Sequence, residues 1–203
     1  MQNGKVIMFD LGGVLVDNHG REELTAMLPF PVEAPELWRK WLESPSVRDF
    51  ERGKITPEQF GAAFVAEWRI DLAPSAFIEA FATWPKRVFD GVEELLPRLK
   101  AHYHLACLSN TNAIHWQRFP QLHPLFDSRF LSHEMGQVKP DREAFAYALE
   151  RLEARPQDVY YFDDLALNVR AAKDIGMTAF RVGSFAEIEP ILRVQGLFVR
   201  SSA

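Results

Sequence analysis

Lys5-Val6-Ile7-Met8-Phe9-Asp10-Leu11-Gly12-Gly13 is the stretch whose reading decides the fold. A short unbroken apolar run halts on an acid and opens into a double-glycine turn, the pattern of a strand buried on both faces. Residues 103–108 repeat it and stop at Ser109-Asn110, and residues 159–162 repeat it and stop at Asp163-Asp164. Residues 178–182 form a fourth run, and residues 129–131 a short additional one. Longer segments of helical period lie between these runs. Strand and helix in alternation predict an α/β protein with a doubly wound parallel sheet.

The helices carry their own punctuation. Asp90 and Glu93 predict a capping box for a helix through residue 99, with Pro97 a candidate kink. Pro140 at a first-turn position predicts a helix over 141–152 with Phe145, Leu149 and Leu152 on one face. Residues 165–175, closed by Gly176, place Leu167, Ala171 and Ile175 together, and Ser184 with Glu187 predicts a further capping box. Residues 18–86 read differently. They contain helical runs only, at 21–28, 36–42, 57–68 and 74–81, separated by proline-containing turns. Thr56, Pro57 and Gln59 mark one start clearly. The expected organisation is an α/β core of residues 1–17 and 87–203 with a helical cap, 18–86, inserted after the first strand. The last stretch, 193–203, reads equally as strand, helix end or frayed tail.

Composition narrows the function classes. A chain of 203 residues and 23.3 kDa buries about 70% of its unfolded surface, enough for a substantial core. Net charge −5 and pI near 5.7 argue against a duplex nucleic-acid binder, which needs a basic face. A single cysteine excludes an internal disulfide framework and a Cys-rich zinc site, and the six histidines show no metal spacing. No apolar run approaches the roughly 18 residues that span a bilayer, and the N-terminus lacks the apolar stretch of a signal peptide. The expectation is a cytoplasmic protein with no membrane or nucleic-acid partner. The sequence names no partner protein.

The strand ends carry polar residues that a packed core would reject: Asp10, Ser109-Asn110 and Asp163-Asp164, with Lys139 before its helix. In open parallel sheets ligands bind beyond the carboxyl ends of the strands, so these groups share one crevice. Three carboxylates and a lysine there suit a divalent cation and a phosphate group, since Mg²⁺ takes a few carboxylates and completes its octahedron with water and substrate phosphate.

The order of these motifs resembles the haloacid dehalogenase-like hydrolase superfamily over the whole chain. The motifs are FDLGGVLVD (9–17), LSNTN (108–112), VKPD (138–141) and YFDDLALN (161–168). FERGKITPEQF (50–60) is similar to the signature of a small helical cap found in one subgroup, which contains sugar-phosphate phosphatases of the glucose-1-phosphate type. The resemblance implies a Mg²⁺-dependent phosphatase acting on a small phosphorylated metabolite, sugar phosphates first. Asp10 would be the nucleophile, forming an aspartyl-phosphate. Asp10, the Gly12 carbonyl and Asp164 would hold the metal, with Asp163 direct or through water. Ser109 and backbone N–H groups around Asn110 would bind the phosphoryl oxygens, and Lys139 would offset the charge of nucleophile and phosphate. Arg52 and Glu51 are candidates for substrate selection, and Asp17 for substrate selection or proton transfer.

One position departs from the superfamily pattern. Its phosphatases carry a second aspartate two residues after the nucleophile to protonate the leaving alcohol, and here that position is Gly12. General acid catalysis is worth about 10²–10⁴-fold, so the loss matters. Three readings stand: a substrate with a good leaving oxygen, such as a sugar 1-phosphate; a substitute acid from Asp17, His19 or the cap; or slow turnover in a non-enzymatic phosphate or metal sensor. A haloacid dehalogenase is the rival within the superfamily, but it works without metal, and the Asp163-Asp164 pair would then be an electrostatic cost.

Bland roles compete at each residue. Asp10 with two glycines makes a turn, Ser109 and Asn110 cap helices, and a lysine before proline is often solvated. Glu51 and Arg52 read as an exposed charged pair at a helix end. Asn168 reads as a loop-fixing residue. Trp38, Trp41, Trp68 and Trp84 read first as packing of the cap, His115 and Trp116 as packing of their helix, and Cys107 as a small buried filler.

Overall fold

The computed structural model describes residues 4–197. In chain order the elements are β1 (Val6–Phe9), β2 (Val16–Asn18), α1 (Gly20–Met27), α2 (Ala34–Glu43), α3 (Pro45–Glu51), α4 (Pro57–Trp68), α5 (Pro74–Ala82) and β3 (Pro85–Val88). Then follow α6 (Val92–Lys100), β4 (His104–Ser109), α7 (Ala113–Trp116), β5 (Ser128–Leu131), α8 (Ser132–Met135) and α9 (Arg142–Leu152). The chain continues through β6 (Val159–Asp163), α10 (Ala166–Asp174), β7 (Thr178–Arg181) and α11 (Ile188–Val194).

Five strands form one parallel sheet in the order β5-β4-β1-β6-β7. β1 is central, and the chain runs outward from it first on one side and then on the other, which puts the topological switch beside Asp10. Alternation along the strands divides two cores. Ile7, Phe9, Leu105 and Cys107 pack with Val92, Leu96 and Leu99 of α6 and Ile188 and Leu192 of α11. Val6, Met8, Ala106 and Leu108 pack on the opposite face with Phe145 and Leu149 of α9 and Val169 of α10. The doubly wound parallel sheet is thus present, with helices on both faces.

The third core belongs to the inserted helices α1–α5. Phe50, Phe60, Phe64, Phe77, Phe81 and Trp68 are buried together. The Phe50 and Phe60 rings stack 4.2 Å apart and those of Phe64 and Phe77 4.7 Å apart. Such pairs add about 0.5–1.5 kcal/mol each beyond area burial. The Thr56–Gln59 capping box is formed: Gln59 N–H donates to Thr56 Oγ1 (3.3 Å) and Thr56 N–H to Gln59 Oε1 (2.9 Å).

Several expected details differ. The segment 18–86 is not purely helical, because β2 and β3 pair antiparallel at its two ends. α3 is an additional helix beyond the expected ones; it opens on Ser44, whose Oγ accepts from Val47 N–H at 3.3 Å. No capping box forms at 90–93, where Asp90 turns outward to Arg87 (3.1 Å), and α6 runs through Pro97 without ending. At 183–187 the Glu187 carboxylate reaches Gly183 N–H (3.2 Å), one residue short of the predicted box. Pro140 precedes the Asp141 cap instead of occupying the first helical position of α9. On α10 the buried face is Asn168, Val169 and Ala172, leaving Leu167 exposed. α11 ends at Val194 and Leu197 is buried; the remainder of the expected tail, 198–203, lies outside the described residues. Among the described residues no helix is long and apolar enough to cross a membrane.

Candidate active site

The carboxyl ends of β1, β4 and β6 deliver Asp10, Ser109 and Asp163 to one place. Asp10 N–H donates to the Phe162 carbonyl (2.9 Å), extending the β1–β6 ladder and fixing where its side chain leaves the sheet. Lys139 lies almost wholly buried between two acids, its Nζ 3.1 Å from Asp10 Oδ1 and 2.7 Å from Asp163 Oδ2. It also donates to the Tyr161 hydroxyl (2.8 Å), which in turn donates to Asp163 Oδ2. Burial alone would lower the Lys139 ammonium pKa, but Asp10 and Asp163 outweigh it and hold it above its ordinary value. The Lys139 backbone is clamped as well. Its N–H donates to Asn110 Oδ1 (2.8 Å) and its carbonyl accepts from Asn110 Nδ2 (2.9 Å).

The two adjacent acids divide their work. Asp163 is fully buried, and its Oδ1 accepts from Leu165 N–H (2.8 Å) and Asn168 Nδ2 (3.1 Å). Its Oδ2 accepts from Tyr161, Lys139 and Asn168, so its lone pairs are spoken for inside the protein. Asp164 instead lines the open chamber, where burial and the charges of Asp10 and Asp163 push its carboxyl up to about 7. Burial also raises the Asp10 carboxyl, with Asp163 adding to it, while Lys139 and the facing Ser109 hydroxyl oppose. Asp10 Oδ1 is buried and makes no directed hydrogen bond within the protein.

Those observations test the donor set for a cation. Asp10, Asp163 and Asp164 offer oxygens within 4.8 Å of one another. Three carboxylates against one ammonium leave the cluster short of positive charge, with Asp10 Oδ1 facing Lys139 Nζ at 3.1 Å. A hard divalent cation fits such a set. The turn beneath it is shaped for close approach: Gly13 has φ +74, and a Cβ there would lie 2.7 Å from Asp164 Oδ2.

Above the cluster stands a chamber whose far wall is the helical block. Leu24, Trp38, Trp41 and Trp84 line it with Glu51, Asn110, Asn112 and His115. Trp68 is packed inside the block, so the tryptophans divide between wall and core. His115 donates Nε2–H to the Phe81 carbonyl (2.8 Å), and burial pushes its imidazole down to about 4, so it joins α7 to α5 as a neutral ring. Trp116 packs in the sheet core as expected.

The expected residues are therefore distributed unevenly. Asp10, Gly12, Asn110, Lys139 and Asp164 line the chamber together. Ser109 stands beneath them, and Asp163 behind Lys139. Arg52 is not among the lining residues: with Arg48 (whose contact is 2.5 Å) it grips Asp141 Oδ2, at 2.8 Å, and joins α3 to the start of α9. Asp17 is not a lining residue either; it faces His19 (3.1 Å) and Arg87 (3.7 Å) at the side. Sequence reasoning passed over Tyr161, whose hydroxyl is invisible in an apolar run, and Asn18. A Cβ at Gly12 would lie 3.1 Å from Asn18 Nδ2, so the amide of Asn18 stands against the space a side chain at 12 would enter.

A family model described as haloacid dehalogenase-like hydrolase matches residues 5–176. The chain is 25% identical over 191 residues to a D-ribitol-5-phosphate phosphatase of Bacteroides thetaiotaomicron, covering 87% of this chain and 91% of that protein. It is 30% identical over 190 residues to a phosphorylated carbohydrates phosphatase of Thermotoga maritima, covering 85% and 82%. Its fold is that of a Bacteroides thetaiotaomicron HAD family enzyme solved as a magnesium complex, with TM-score 0.74, 23% identity, and coverage of 93% of this chain and 98% of that one.

Proposed function

The chain belongs to the haloacid dehalogenase-like hydrolase family, and on that footing we propose that it is a phosphatase that hydrolyses a small phosphate monoester, a phosphorylated carbohydrate or polyol first, with Asp10 as nucleophile. The observation that carries the reading is the Asp10–Lys139–Asp163 arrangement at the floor of the chamber, with Asp164 beside it. Helices α1–α5 serve as the cap of that chamber, and residues 1–17 and 87–203 as the catalytic core.

Asp10 attacks phosphorus with its carboxylate, the P–O bond to the leaving oxygen breaks, and water later cleaves the aspartyl-phosphate. Lys139 keeps Asp10 ionised and sets positive charge against the incoming phosphoryl oxygens. Tyr161 and Asp163 hold that ammonium from behind while Asn110 clamps the Lys139 backbone, so it requires no reorganisation during the reaction. Ser109 and the backbone N–H of Asn110 receive the phosphoryl oxygens, the Thr111 N–H being given to Ser132 Oγ (2.9 Å). Asp10, the Gly12 carbonyl and Asp164 would hold Mg²⁺, with Asp163, whose own oxygens are engaged by the protein, through water at most. When bound, the ion neutralises charge on the transferring phosphoryl group. Reading the site as a dehalogenase, which works without metal, leaves Asp164 partly buried beside two further acids with Lys139 as the opposing charge, a setting in which burial first and then Asp10 and Asp163 raise its carboxyl to about 7.

The test is phosphate release from a panel of phosphorylated sugars, polyols, nucleotides and small acids, with Mg²⁺ and with EDTA. Metal-dependent release from a group of related compounds is expected, and Asp10→Asn should abolish it with the fold intact. Turnover retained by Asp10→Asn overturns the assignment of the nucleophile. Absence of release from every compound favours a slow or silent relative.

A further inference from the structure

Gly12 leaves the nucleophile without a neighbouring acid, and Asn18 stands against the adjoining space. An in-line displacement expels the leaving oxygen on the side opposite Asp10, toward the far wall of the chamber. The acid that wall offers is Glu51, the last residue of α3, buried yet lining the chamber that Asp10 and Lys139 also face. Other titratable groups there have prior roles. His115 is a neutral strut whose Nε2–H is given to Phe81, Arg21 pairs with Glu22 (2.6 Å), and Lys139 is locked between two carboxylates.

Glu51 is also held in place from both sides. Two residues later, Gly53 (φ +69) approaches the core so closely that a Cβ would lie 2.3 Å from the His133 carbonyl oxygen. Arg48 and Arg52, one turn before and one residue after, both grip Asp141. The Glu51-Arg52-Gly53 triplet thus points one carboxyl into the chamber while its neighbours fasten the helix end to the core.

We propose that Glu51 is the general acid that Gly12 lacks. The proposal rests on the phosphatase reading. In the first half, Asp10 Oδ bonds to phosphorus, the ester P–O bond breaks, and the Glu51 proton passes to the leaving oxygen. In the second, the Glu51 carboxylate takes a proton from water as the water oxygen attacks phosphorus, the Asp10–phosphorus bond breaks, and both carboxyl groups return to their starting states. Burial supports the role by pushing the Glu51 carboxyl up to about 7, against Trp41 of α2, Lys139 of the core and Arg48 of its own helix, with Asp10 adding to the rise.

The experiment compares wild type and Glu51→Gln on p-nitrophenyl phosphate, whose leaving group needs no proton, and on an alkyl or polyol phosphate, whose leaving group does. For the polyol ester, kcat/KM, which reports phosphoryl transfer to Asp10, should fall about 10²–10³-fold. For p-nitrophenyl phosphate, kcat/KM should change less than about threefold, the usual insensitivity of a good leaving group to its acid. Steady-state turnover of that ester should still slow, leaving a burst of nitrophenolate equal to the enzyme concentration. Glu51→Asp, which keeps the proton but withdraws it, should fall between the two. Equal losses on both esters, or none on either, overturn the proposal while leaving the phosphatase reading intact. Failure of the wild type to cleave both esters overturns that reading instead.

Discussion

Gly53→Ala isolates the fit between α3 and the core. Two glycines close short helices at nearly the same backbone angle, Gly53 at φ +69 and Gly136 at φ +72. A Cβ at Gly136 meets nothing within 4 Å, whereas one at Gly53 would stand 3.2 Å from the His133 carbonyl carbon and 2.3 Å from its oxygen, the latter well inside the 3.0 Å below which real Cβ atoms are essentially never found. Left-handed strain costs alanine about 1–2 kcal/mol at either site. Gly53→Ala must also push the two backbone segments nearly an ångström farther apart, and overpacking of that kind costs about 1–3 kcal/mol more. The expected losses are therefore about 1–2 kcal/mol for Gly136→Ala and about 2–5 kcal/mol for Gly53→Ala. Equilibrium urea unfolding followed by tryptophan emission is the assay. Four of the five tryptophans (Trp38, Trp41, Trp68 and Trp84) lie in the helical block that α3 belongs to, so the probe reads the affected region. Equal losses for the two variants would refute the close approach and, with it, the rigid placement of Glu51.

Lys139→Met should cost about 3–5 kcal/mol and eliminate phosphate release, because it leaves Asp10 and Asp163 buried without their shared counter-charge; urea unfolding in EDTA checks it, and a loss under about 1 kcal/mol would contradict the triad. His115 has a folded pKa of about 4 against an ordinary 6.5. The unfolded chain binds the extra proton between those values, so stability should fall as pH drops through that window, by up to about 3 kcal/mol. Unfolding measured from pH 7 to 4 should show this slope, and it should flatten in His115→Gln; a slope unchanged by the substitution would remove His115 as its source.

The strands of the main sheet were legible because a parallel strand covered on both faces is one continuous apolar run, as in Val6–Phe9 and in the first four residues of β6 before Asp163. β2 and β3 were not, because VDN and PKRV have no such run and exist as strands only through each other. α3 could have been found from Ser44 before Pro45, a cap followed by a first-turn proline. The chamber floor was readable from strand ends, since topology alone brings Asp10, Asp163 and Asp164 together. The far wall was not. Glu51 and Arg52 look alike in sequence as a charged pair, yet neighbours on a helix point to different faces. One enters the chamber and the other turns to Asp141, and which does which depends on how α3 docks.

The paired strands β2 and β3 have a further consequence. Val16 lies beside Val88 and Asp17 beside Arg87, and His19 N–H bonds the Trp84 carbonyl at 3.0 Å, so the chain departs from the core and rejoins it at neighbouring points. Everything between is a detour that the main sheet does not need for its own register. Such a cassette can change its lining, and with it the range of molecules admitted, while the floor that performs the chemistry stays as it is. The same arrangement makes the two crossings one stem, so any swing of the cassette would have to bend both strands together and break the Arg48 and Arg52 contacts to Asp141 that fasten α3 to the core.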